Sequence, residues 1–276
     1  MSVVIVVLVA ALLHATWSAL AKSTSDRVAG FAAMSTVSVV LGAVGVAVVP
    51  SPDPSSYPYL AISGVLHVVY MLLMTWSYRV GDFNQVYPLA RGTSPLLVTV
   101  FGLLFLHEVP GRGQLLGILL VCAGLLALVF TRSRRPAPAW PAVASAVATG
   151  VAITSYTVVD GLGVRRADAV LGYVFWLQLI MGLGFLVVAA AVRGRRVLSF
   201  DRTIWIRGLG GGLIATAGYG LVLWAQTQAD LGTVAALRET SIVFGAVIGA
   251  ALLHEPMGRQ RVVASAVVVA GVVLIV

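Results

Sequence analysis

Two arginines stand inside apolar stretches long enough to cross a membrane: Arg91 in PLARGTSPLLVTVF and Arg238 in AALRETSIVFGAV. A guanidinium away from water needs an anion, and its fork fits a carboxylate or phosphate through two parallel hydrogen bonds. Tyr87, Arg91 and Ser94 share one helix face by their i, i+4, i+7 spacing, and Ser241 follows Arg238 by three residues. A second reading pairs Arg238 with Glu239 or a backbone carbonyl and lets Arg91 snorkel past Tyr87 toward the interface. His67 and Tyr70 lie on a stripe with Met71, Met74 and Tyr78, which reads either as a ligand wall or as helix packing. His14 and Trp17 share a face near Lys22, while Tyr156 and Asp160 are one turn apart. These side chains complete a candidate substrate site: Arg91, Arg238, His14, Trp17, His67, Tyr70, Tyr87, Ser94, Tyr156 and Ser241. Asp160 and Glu239 are the acids that could carry a coupling proton, although Asp160, just before Gly161 and Gly163, also reads as interfacial. Glu108 and Glu255 each precede a helix start, where a carboxylate accepts from free amides. Structural capping is their expected role. No H-E-x-x-H, G-x-S-x-G or G-x-x-x-x-G-K-[ST] pattern occurs, so no catalytic residue, metal or cofactor is expected.

The elements that hold these residues follow from composition. Of 276 residues, 59% are hydrophobic and 10% charged, with a mean hydropathy of +1.00. Soluble domains carry about 45–50% apolar and about 25% charged residues, so a soluble enzyme, a disordered tail and a disulfide scaffold are excluded. The fold class expected is an all-α polytopic membrane protein, in the cell membrane. Its partners are the lipid bilayer and a small molecule. The net charge of +8 sits in short loops, so it reads as topology and no nucleic acid is expected. Oligomeric state is left open, with a monomer sufficient. The single Cys122 permits no internal disulfide and reads as packing.

A membrane helix takes about 20 apolar residues. Ten candidate spans follow, at 2–21, 28–49, 57–79, 85–106, 112–130, 138–159, 169–192, 203–227, 232–253 and 258–276. The Pro- and Arg-rich stretch 131–141 divides the chain into 2–130 and 142–276. An offset of 147 places Arg91 on Arg238, Thr93 on Thr240, Ser94 on Ser241, His107–Glu108 on His254–Glu255 and Gly124 on Gly271. Nine polar or glycine positions match over 34 residues. Five spans per unit is an odd number, so the second copy enters the membrane inverted, a recurrent plan of secondary transporters. Loops after odd-numbered spans hold thirteen basic residues and loops after even-numbered spans three. The positive-inside rule then puts both termini outside.

The chain also resembles the EamA family of the drug/metabolite transporter superfamily. The resemblance rests on His14–Ala15–Thr16–Trp17 with Lys22, and on the doubled Leu-x-Glu and glycine-rich helix pattern around Glu108 and Glu255. It implies two five-helix EamA units and transport of a metabolite, and it implies cytoplasmic termini, against the loop charges. Together these observations predict a secondary transporter, an exporter or permease for a small anionic or zwitterionic metabolite, working by alternating access around a midplane cavity. A lipid-carrier flippase on the same fold is the alternative, and an intramembrane enzyme the remote one.

Overall fold

The computed structural model describes residues 2–22, 26–81, 83–130, 140–194, 197–199, 201–252 and 258–276. Among the described residues there is no strand. The helices are α1 (Val3–Lys22), α2 (Arg27–Val48), α3 (Tyr57–Val80), α4 (Phe83–Phe101), α5 (Arg112–Phe130), α6 (Trp140–Arg165), α7 (Val170–Arg193), α8 (Arg202–Gln226), α9 (Leu231–Arg238), α10 (Ser241–Leu252) and α11 (Arg259–Ile275). Eight segments are long and apolar enough to cross a membrane; Arg112–Leu128 and Val262–Ile275 are shorter apolar helices. Asp26 starts α2 by accepting from the Ala29 amide at 2.9 Å, and it also pairs with Arg193. These bonds, led by the Ala29 amide, hold its carboxyl below the usual range.

The ninth span expected over 232–253 is present as one apolar stretch, Leu231–Ala251, but its helix is interrupted and divides into α9 and α10. Around Glu239–Thr240 the backbone changes to i→i−3 bonding. The amides of Glu239, Thr240, Ile242 and Val243 donate to the carbonyls of Ala236, Leu237, Glu239 and Thr240 at 2.9–3.2 Å. The break therefore leaves these groups satisfied, as a bilayer interior requires. The counterpart α4 stays continuous but contains Pro88 and Pro95. Each proline removes one i→i−4 donor, so Pro95 frees the carbonyl of Arg91 itself. A π turn, Gly102–Leu106, ends α4, and His107 follows in the left-handed region at φ 56°.

Packing follows the internal repeat. α2 lies on its counterpart α7 and α5 on its counterpart α11, while α3 on α6 is mirrored by α8 on α1. Gly42 and Gly45 of α2 meet Leu179 and Phe175 of α7, while the earlier residues Ser35 and Val39 meet the later Gly182. Likewise Gly117 faces Gly271 and Ile275, and Gly124 faces Ala264. Both counterpart pairs are therefore antiparallel, the arrangement that an inverted duplication produces. Small residues let the backbones approach, which matters in lipid because packing rather than hydrophobicity joins the helices. The glycine cluster of α8 acts similarly, with Gly208 on Ala33 and Gly212 on the Met34 carbonyl. The largest core cluster joins Val7, Val121, Cys122, Leu125, Leu237 and Val268 across both repeats.

Candidate functional site

Arg91 is the ninth residue of α4 and Arg238 the last of α9, each roughly 10 Å from its helix start at about 1.5 Å per residue. Both are buried. Arg91 does not snorkel to the interface. Its Nε donates to Glu239 Oε2 at 3.0 Å, and its second arm donates to Ser241 Oγ at 3.3 Å. Its guanidinium also stands 5.9 Å from the Tyr87 ring. Glu239 thus pairs across the repeats with Arg91 and not with its neighbour Arg238. Among the described residues no carboxylate forms an ion pair with Arg238. It faces the Tyr219 ring at 5.9 Å and lies beside Tyr156. The helix break explains the pairing: the turn at Glu239–Thr240 aims the carboxylate back at α4.

Around this pair the structure gathers most of the expected residues. Ser94 is buried and accepts from Thr154 at 3.4 Å. Tyr70 packs edge-on against Tyr156, with centroids 5.5 Å apart, and donates to the Met74 sulfur. His67 stacks on Tyr156 at 4.2 Å. His14 is half-buried, edge-on to Trp17 at 5.0 Å and within electrostatic reach of both arginines. A small cavity lined by Tyr70, Tyr87, Ala90, Arg91 and Thr149 remains, with room for about one water. Glu255 and the side chains of Lys22 and Tyr78 lie outside the described residues.

Asp160 is fully buried inside the protein, because α6 continues through Gly161 and Gly163 to Arg165. The glycines continue the helix because they admit neighbours: Leu231 packs over Gly161, and the Tyr173 hydroxyl over Gly163. Asp160 accepts from Tyr173 at 3.3 Å, from Tyr219, and from Ser63. Ser63 also holds His67, whose Nδ1 is 2.9 Å from the Ser63 carbonyl and 3.1 Å from its hydroxyl. Ser63, Tyr173 and Tyr219 were not evident as site residues in the sequence. The one cue is Gly218–Tyr219–Gly220, a bulky polar residue between two that leave room for it.

Glu108 caps a helix, but not the following α5 as its place in the sequence suggests. At α5 the Gln114 side chain already accepts from the Gly111 amide at 2.9 Å. Glu108 Oε2 instead accepts from the amide of Leu231, the first residue of α9, at 2.9 Å. Its other oxygen accepts from Arg165 at 2.6 Å, and Arg165 also donates to the carbonyls of Gln226 and Ala229. Burial, and then the Glu108 charge, push the adjacent Asp230 carboxyl up. This clamp ties the ends of α6 and α8 to the start of α9 at one membrane face. Substituting Glu108→Ala is expected to speed amide exchange at Leu231 and Gly232 by at least several-fold, by local opening. Exchange in α2 and α7 should stay unchanged in the same deuterium-exchange experiment.

Comparison with known proteins agrees with the geometry. No curated protein matches the chain. A solved structure, described only as a crystal structure of a protein, superposes with a TM-score of 0.75 over 99% of this chain and 96% of that one. At 17% identity it shows a shared fold. The model of the EamA-like transporter family matches residues 1–130 and again 140–276, one match for each repeat found in the sequence, and the chain belongs to that family.

Proposed function

We propose that the protein is a secondary transporter for a small anionic or zwitterionic metabolite, with ten spans arranged as two inverted five-helix repeats. The observation that carries this reading is the charge inventory at the centre. The duplication supplies two buried arginines, Arg91 and Arg238, but only one acid beside them. Glu239 occupies the position that Gly92 holds in the first repeat. The group therefore has one net positive charge, which a monoanionic carboxylate, phosphonate or amino-acid carboxyl complements.

Glu239 accepts from the Arg91 Nε and Ser241 from its second arm, and the arriving anion takes the place of the Glu239 carboxylate. Ser94, Ser241 and Tyr87 then supply polar contacts, and Tyr70, Tyr156, His67, His14 and Trp17 form the aromatic wall. Alternating access cannot be a rocking of the two sequence halves as such, because their helices interleave. The moving bodies each combine helices from both repeats. Purified protein in proteoliposomes should take up labelled carboxylates, phosphonates or amino acids saturably and ignore organic cations of similar size. Uptake confined to cations or uncharged solutes would overturn the reading.

A further inference from the structure

We propose that the Asp160 carboxyl is a proton-binding site coupled through Tyr219 to the arginine pair, so that one proton enters the core with each monoanion. The inference rests on the anion-transporter reading and adds the coupling ion to it.

The groups facing Asp160 come from every helix around it. Ser63 and His67 belong to α3, Tyr156 to α6 itself, Tyr173 to α7 and Tyr219 to α8. The cations Arg91 of α4 and Arg238 of α9 lie on the far side of Tyr156 and Tyr219. Three hydroxyls converge on the carboxyl, from Ser63, Tyr173 and Tyr219. Among the described residues no cation stands within ion-pair distance of it. Burying a carboxylate without an adjacent cation is costly, and the three donated hydroxyl hydrogen bonds offset part of that cost, so the site is built to hold the carboxyl either with or without its proton. Tyr219 joins the two sites with one side chain, because its hydroxyl donates to Asp160 while its ring faces Arg238.

The charge inventory makes the coupling stoichiometric. With Asp160 ionised and the His67 imidazole neutral, two arginines meet two carboxylates and the core is neutral, so an anion gains little by entering. With Asp160 protonated, the core carries one positive charge and accepts one anion. Proton and anion thus favour each other, as linkage between sites requires.

Infrared difference spectroscopy of the reconstituted full-length protein tests this without any transported solute, so it stands or falls separately from anion uptake. A protonated-carboxyl C=O band should appear as pH is lowered, vanish in Asp160→Asn and persist in Glu239→Gln. Tyr219→Phe removes one donor and should move the band to higher frequency. Asp160→Glu should also shift the band, which keeps the assignment testable if Asp160→Asn does not fold. Arg238→Gln removes the cation behind Tyr219, and the band should then survive to about one pH unit higher, a ten-fold lower proton concentration. Absence of any band assignable to Asp160 overturns the proton site. A band whose titration ignores Arg238→Gln overturns the coupling.

Discussion

Arg91→Gln and Arg238→Gln should each reduce anion uptake at sub-saturating substrate by about 10- to 100-fold. A hydrogen bond to a charged group is worth about 1.5–3 kcal/mol, and about 1.4 kcal/mol is a factor of ten. Arg91→Lys keeps the charge but loses the fork, so it should fall between wild type and Arg91→Gln. Glu239→Gln separates an anion site from a structural ion pair. It leaves Arg91 buried without its acid, and breaking such a pair costs about 3–5 kcal/mol. The variant should therefore melt well below wild type without substrate and recover much of the loss when the anion is added. Recovery larger than the ligand shift of wild type, measured by thermal unfolding in detergent, would show that the anion replaces the Glu239 carboxylate. Equal shifts in both proteins would remove Glu239 from the binding step.

The largest stability effect is expected where helix backbones touch. A methyl group at Gly271 would stand 2.7 Å from the Gly117 carbonyl oxygen and 2.9 Å from the Val121 amide nitrogen. Neither atom can rotate away, so α5 and α11 must separate. Gly271→Val should cost about 3 kcal/mol, the upper part of the usual overpacking range. Gly42→Val in α2, where the same group would meet Leu179 backbone nitrogen at 2.6 Å, should do likewise. Gly245→Ala is the control, since nothing lies within 4 Å of the added carbon. It should be neutral or slightly stabilising, because alanine favours a helix over glycine by about 1 kcal/mol. Comparable losses in all three variants would mean that close approach is not what joins these helices.

The duplication, the apolar runs and the placing of Arg91 and Arg238 were legible in the sequence because each is a matter of spacing. What was not legible depends on partners far away in the chain. The bend at Glu239–Thr240 carries no proline or glycine; its acid reaches Arg91, 148 residues back, and nothing local announces that bond. The burial of Asp160 was not legible either: the glycines that follow it serve Leu231 and Tyr173, and no periodicity encodes that. Glu108 was recognisable as a capping residue, but the amide it serves belongs to the other repeat. Tyr219 became visible as a site residue only once α8 lay against α6.

The interleaving of the repeats also bears on how the protein is made. α1, α2, α3 and α5 find their main partners in α8, α7, α6 and α11, so the first half enters the bilayer before most of its neighbours exist. Apart from α4 and α5, which pack on each other, its helices must wait there for their main partners, with Arg91 in the membrane and Glu239 not yet synthesised. In assembly terms the two halves are an obligate heterodimer that happens to be joined by a linker. If residues 131–139 are replaced by a cleavable sequence, the cut halves should still purify together in mild detergent. Expressed singly, either half should be degraded, and only co-expression should restore it.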